Sequence, residues 1–342
     1  MQIPVTGHPL HTRSLTMTLT LDEGGRWRTK GVIVDLRKTG FAPMATSFQP
    51  AGLIHHMEID LQIHPETQVI ESLEARQLVV AVEASERSCG ESCRDPVANL
   101  KALEGESLAA GFAKKLSLAF GGPRGCSHLV ALFHFMAGAV LRALELERQQ
   151  TRAPGVERQL GECVFQRSFF LDGFQNANRD VELALQQGDY HTRPEVISES
   201  TLKRLAYEQD IRLFARVRAS DLVIQEFRAA ERERAFETLA SAEWRDRPGW
   251  VDALVGAPVI PGFAARAMQS CGEAPEKRVL LDALLQMAPG HLQVLAALAD
   301  QWISRDSSDV WADSGDTSPP FGGMTPSCYV YRPDGPRSRD IS

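Results

Sequence analysis

Thiol and imidazole groups gather at three places in the first half of the chain, and a carboxylate marks a fourth. Leu53-Ile54-His55-His56-Met57 enters an alternating apolar stretch, and Ser88-Cys89-Gly90-Glu91-Ser92-Cys93 falls between apolar segments. Gly121-Gly122-Pro123-Arg124-Gly125-Cys126-Ser127-His128-Leu129 opens a long apolar stripe, and Asp35 stands in Val34-Asp35-Leu36. Three chemistries fit these residue types. Thiolates and imidazoles suit Zn²⁺ or Fe²⁺, with His55, Cys93, Cys126 and His128 as ligands and Asp35 or His56 as general base or outer support. A thiol at a helix N-terminus meets the positive end of the dipole, which lowers its pKa. Cys126 is therefore also a candidate nucleophile, with His55, His56 or His128 as its base and the glycine-rich backbone as an oxyanion pocket. A closed set of four ligands would instead be a structural metal. Cys-x-His at a helix start is compact enough to supply two ligands, though the spacing is that of no zinc finger. Plain packing stands beside all three, because free cysteine is among the most buried residue types. Cys163, Cys271 and Cys328 read that way. His134 reads as core, and His8, His11, His64, His191 and His291 as surface or loop residues.

The elements that must carry these groups follow from periodicity. Thr16, Thr18 and Thr20 alternate with Met17, Leu19 and Leu21, the period of a half-covered strand. Asp22-Glu23-Gly24-Gly25 turns the chain back through Trp27 to Val32-Ile33-Val34. A loop with Pro43 and Pro50 follows, then Met57 to Ile63 alternates and His64-Pro65-Glu66-Thr67 turns it into Gln68–Arg76. This is an antiparallel meander, a sheet usually covered by helices on one face. Asp95-Pro96 signals a helix start. Ala109–Ala119 reads as a short helix ended by Gly121-Gly122-Pro123. Ser127–Gln149 reads as a long one with Leu129, Leu132, Phe133, Met136, Val140 and Leu144 on its apolar face.

The pattern then repeats. Gly105-Glu106-Ser107-Leu108-Ala109-Ala110-Gly111-Phe112 is echoed by Gly256-Ala257-Pro258-Val259-Ile260-Pro261-Gly262-Phe263, Val69-Ile70 by Val223-Ile224, and Glu58-Ile59-Asp60-Leu61 by Asp210-Ile211-Arg212-Leu213. The spacing is roughly that of one ordinary domain. Thr151–Glu157 reads as the linker, and the second copy begins near Arg167-Ser168, matching Arg13-Ser14. Strands are expected at Val181–Leu185, Ile211–Val217 and Leu222–Arg228, and helices at Pro248–Leu254, Ala264–Met268 and Lys277–Trp302. On this alignment His55 falls on Tyr207, His56 on Glu208, Cys93 near Trp244 or Arg245, Cys126 on Arg278 and His128 on Leu280. The second copy has lost every sulfur and imidazole of the set.

A net charge of -7 with interleaved acids and bases argues against a nucleic-acid surface. Met1–Arg13 has no apolar core of a secretory signal, and no stretch has the length of a membrane span. A reducing cytoplasm with free thiols is the expectation.

The first half resembles DUF2889, a family of uncharacterised bacterial proteins. The carrying residues are His11-Thr12-Arg13, Asp22-Glu23-Gly24-Gly25-Arg26-Trp27, Val34-Asp35-Leu36-Arg37-Lys38, Ile54-His55-His56-Met57, Cys93, Leu103-Glu104-Gly105 to Gly111-Phe112, and the Gly121–Leu129 segment. The family pattern in that last segment reads Gly-Cys-Thr-His-Leu, with Ser127 here for threonine, and aspartate is commoner where His56 stands. The resemblance carries no activity. The expectation is an α+β fold of two tandem similar domains, each an antiparallel sheet packed with helices, arranged as a pseudo-dimer. Residues 10–150 hold the Cys/His site, 160–304 form the degenerate copy, and 307–342 form a mostly disordered tail. The expected function is a metal-dependent hydrolase or lyase acting on a small organic substrate. A non-catalytic binding or scaffold protein with a structural metal or none is the alternative, and a Cys126-nucleophile enzyme a further one.

Overall fold

The computed structural model describes residues 2–38, 51–86, 88–109, 111–149, 157–194, 205–235, 243–303 and 326–336. Pro43, Pro50, linker residues 151–156 and most of the stretch from Ser307 lie outside these.

The alternation makes four long strands: β1 (His8–Leu21), β2 (Trp27–Arg37), β3 (Gly52–Ile63) and β4 (Ile70–Val79). Asp22 shapes the first turn by accepting the N–H groups of Gly24 and Arg26 on one carboxylate oxygen. A 3-10 helix at Asp95–Leu103 follows, with Pro96 in its first turn, then α1 (Phe112–Phe120) and α2 (Ser127–Gln149). The second half repeats this order. Its strands are β5 (Cys163–Gln175), β6 (Val181–Thr192), β7 (Leu205–Val217) and β8 (Ile224–Ala235), followed by the short β9 (Arg245–Asp246). Two 3-10 turns then lead to α3 (Phe263–Cys271) and α4 (Arg278–Ile303).

Among the described residues the strands form one nine-stranded sheet, in the order β4-β3-β2-β1-β5-β6-β7-β8-β9, with every pair antiparallel. This corrects the expectation of a separate sheet for each half. β1 and β5 pair along nearly their whole lengths, and the buried apolar residues of both halves form one continuous core. α2 packs on β1, β2, β3 and β5, and α4 on β1, β5, β6 and β7, so both lie on the same face. They also touch each other. Arg278 pairs with Glu145, and Gln286 reaches the Ala131 carbonyl. Both are long and apolar enough to cross a membrane, yet 67% and 61% of their most apolar windows are buried inside the fold. They are the core helices of this sheet.

Strand registers refine the internal alignment. Arg13 pairs with Asp35 and Asp35 with His55, while Arg167 pairs with Asp189 and Asp189 with Gln209. His55 therefore matches Gln209 rather than Tyr207, and His56 matches Asp210 rather than Glu208. The echo of Glu58–Leu61 in Asp210–Leu213 is two residues out of step with the ladder, in which Ile59 opposes Gly31 and its counterpart Leu213 opposes Leu185. Aligned on their first residues, α2 and α4 put His128 on Val279 and Cys126 on Lys277. The link from sheet to helices is also shared. Gly105 N–H donates to the Ile70 carbonyl and Gly256 N–H to the Ile224 carbonyl, both at 2.8 Å. Gly111 and Gly262 cap α1 and α3 in the left-handed conformation that glycine adopts freely.

Three histidines read as surface or loop residues are buried, His11, His191 and His291. His191 bonds Glu147 at 3.0 Å in a buried group with Arg158 and Glu162, which pins the end of α2 to β5 and β6. Burial alone would raise the Glu147 carboxyl, but its bonds to His191 and Arg158 bring it down to about 2. His291 on α4 is wholly buried, and neither ring nitrogen has a partner among the described residues. Burial pushes it down to about 4. Its native form stays neutral where the unfolded form takes up a proton, so stability falls as pH drops from about 6.5 towards 4. The total is on the order of 3 kcal/mol. His291→Leu should flatten this part of the pH dependence and raise stability at pH 7.5 by about 1–3 kcal/mol, since it removes a buried group with unmade bonds. Urea unfolding at pH 7.5 and 5 measures both.

Within the stretch read as tail, residues 326–336 pack on the first half. Tyr329 N–H donates to the Gly125 carbonyl at 2.8 Å, Arg332 pairs with Glu91 at 2.7 Å, and Val330 is buried.

Candidate active site

Arg13, Asp35 and His55 form one row across β1, β2 and β3, on the face that the helices cover. His11 lies two residues before Arg13 on the same face, since side chains alternate along a strand. Asp35 is the hub. Arg13 donates to both its oxygens, Nε at 2.8 Å and Nη2 at 2.9 Å. His11 Nε2 lies 2.9 Å and His55 Nδ1 3.1 Å from the same carboxylate. His128 comes down from the first turn of α2, its Nε2 3.6 Å from Asp35 and its ring centroid 3.8 Å from that of His55. That Nε2 is buried and has no hydrogen bond among the described residues.

Burial alone would raise the Asp35 carboxyl, but the Arg13 guanidinium and the bonds from His11 and His55 hold it well below the usual carboxylate range. Burial lowers His128 far below an ordinary imidazole, and the positive charges of its neighbours add to this. Burial also lowers His11, against the pull of Asp35. The resting cluster is thus an ionised Asp35–Arg13 pair ringed by neutral His11 and His128. Polar groups this deep persist only where such bonds hold them.

The sequence candidates divide as follows. Asp35, His55 and His128 come together, and their ligand atoms lie within 4.8 Å of one another. Cys126 adjoins them, with Sγ 3.9 Å from His128 Nδ1 and 3.9 Å from Met57 Sδ. Cys93 is partly buried against the core on the loop before the first 3-10 helix, outside that group. His56 points to the uncovered face of the sheet, 3.7 Å from Glu58, because it is one residue out of phase with His55. His11 and Arg13 join the site without having been candidates, and His11 is no surface residue.

Cys126 precedes α2, as a nucleophile would, but its surroundings oppose the thiolate. Burial pushes it up to about 12, with the Cys328 thiol adding to the effect, and the N–H groups of Leu129 and His128 offset this only in part. Thiol reactivity follows the thiolate fraction. At pH 8 iodoacetamide should modify Cys126 at least about 100-fold more slowly than the exposed Cys89. Peptide mapping of the alkylated chain reads the two rates, and equal rates would show an activated Cys126.

A cavity of about 380 Å³ opens beside the cluster. Arg13, Ser127 and His128 line it from the first half. Val259, Ile260, Pro261 and Phe263 line it from the segment that enters α3, and Leu285, Leu292 and Gln293 from α4. Most of the polar side is supplied by the first half and the apolar wall by the second. Such a mostly apolar hollow with a few convergent polar groups is the usual form of a small-molecule site.

No curated protein and no solved structure matches the chain. A family match covers Arg13, Asp35, His55, Cys126 and His128 and begins at His11: residues 11–142, in the first half of the chain, match the family described as protein of unknown function, DUF2889.

Proposed function

We propose that the first half carries an enzyme site for a small organic substrate, in which His128, backed by Asp35 and His55, moves a proton in a reaction of hydrolase or lyase type. The observation behind this reading is the placement of His128. It lines the cavity and leans on a carboxylate whose orientation Arg13 fixes from both oxygens. An imidazole with a buried carboxylate behind it is a common acid–base arrangement, and such a group contributes about 10²–10⁴-fold. On this reading the second half is a degenerate copy in a pseudo-dimer that keeps the Arg–Asp pair, has lost the imidazoles and supplies the apolar wall. Cysteines that stand as thiols rather than disulfides fit a cytoplasmic setting. Turnover of a panel of small esters, lactones and hydroxy acids, measured for wild type and His128→Gln, tests it. Turnover that falls at least about 100-fold in the variant supports the role. Turnover unchanged in the variant, or absent from wild type across the panel, overturns it.

A second reading keeps a metal, Zn²⁺ or Fe²⁺, and the closeness of Asp35, His55 and His128 favours it. Against it, the Arg13 guanidinium already takes both Asp35 oxygens, and a divalent cation there would lie beside a fixed positive charge. Elemental analysis of purified protein, with and without His55→Ala and His128→Ala, separates the two. About one metal per chain, lost in the variants, selects the metal; no bound metal selects proton transfer or the non-catalytic alternative.

A further inference from the structure

Arg13 and Arg167 hold matching places in the two halves, and of the two carboxylates that bind Arg167 only one has a counterpart at Arg13. Arg167 donates Nε and Nη2 to Asp189 at 2.6 and 2.7 Å, and Nη1 to Asp282 of α4 at 2.5 Å. Arg13 donates Nε and Nη2 to Asp35 in the same two-pronged way. Its Nη1 donates to nothing among the described residues, although the side chain is only 1% exposed. Aligned on their first residues, α2 and α4 put Ala131 where Asp282 stands, and Ser127-His128-Leu129-Val130-Ala131-Leu132 contains no acid. A guanidinium presents its donors in a fixed fork matched to carboxylates, and leaving one unmet in a buried place is unfavourable. Arg13 is one of the residues that line the cavity, whose other walls are largely apolar.

We infer that the cavity takes a small monocarboxylate with an apolar body, its carboxylate seated on Arg13 Nη1 in the position that Asp282 fills on Arg167. The apolar body lies among Val259, Ile260, Phe263, Leu285 and Leu292. This names the substrate class of the small-molecule site proposed above and rests on that reading. The second half acts as an internal reference, because it fills with its own side chain the place that the first half leaves for a ligand.

Isothermal titration with hexanoate and with hexanamide, its neutral counterpart, decides the matter. Wild type should bind one hexanoate per chain and hexanamide at least about tenfold more weakly, the loss expected when a charge-assisted bond is removed. Ala131→Asp, which supplies the carboxylate from the chain itself, should lose at least about tenfold in hexanoate affinity, and Ala131→Asn less. Equal binding of acid and amide overturns the carboxylate assignment while leaving a small-molecule site in place. Binding of neither overturns the assignment and the site together. If Ala131→Asp does not fold, the ligand pair on wild type still decides.

Discussion

Asp35→Ala should cost the protein about 3–5 kcal/mol, the largest loss expected from any single change at the site. Arg13 and Asp35 are both buried, and removing one partner leaves the other as an uncompensated charge in the interior. His11 and His55 lose their acceptor in the same step. Urea unfolding should show a lower midpoint with an unchanged slope. The pair itself is a different matter, because two charges taken from water together gain little over a well-packed apolar pair. The double variant Arg13→Met with Asp35→Leu should therefore recover most of the loss. A single variant within about 1 kcal/mol of wild type would show that water reaches Arg13 and that the cluster is not sealed.

Gly125→Ala should cost about 3 kcal/mol, near the top of the range for forcing extra volume into a packed core. A Cβ there would overlap the Phe120 carbonyl oxygen and lie 2.6 Å from the Phe120 ring. The oxygen belongs to the backbone ending α1 and the ring is fully buried, so neither can yield without moving the start of α2. Gly31 offers the contrast. A Cβ there meets the thioether of Met136 rather than backbone, and because methionine repacks more readily than a carbonyl, Gly31→Ala should cost less than Gly125→Ala. Thermal unfolding of the two variants ranks them. Equal losses would mean that the α1–α2 turn is more pliable than its packing indicates.

Strand parity makes much of the site legible. His11 and Arg13 share phase with Leu15, Met17 and Leu19, and Asp35 with Ile33, so alternation alone places all three on the covered face. The same count separates His55, in phase with Met57 and Ile59, from His56. For His11 and Arg13 a competing signal hides the parity, because arginine and histidine at a strand start read as solvated ends. α2 is legible at both ends, since glycine, proline and cysteine break the pattern before Ser127 and the apolar stripe runs unbroken after it. The β1–β5 ladder is not legible. Which edges meet depends on chain reversal over a whole half, and nothing local in either strand encodes its neighbour. Cys93 illustrates a related limit, for spacing along a loop does not fix where its thiol points.

The ladder joining β1 to β5 has a consequence for how the polypeptide can be divided. A cut between the halves would not release a pair of finished bodies from a docking surface. It would bare a 14-residue and a 13-residue strand border, each a row of unmatched amides and carbonyls able to recruit any extended chain. It would also take from His128 the hydrocarbon lining that α4 and the α3 approach provide. Proteolytic nicking in the linker should accordingly leave the fragments clasped together, and separating them should require denaturant.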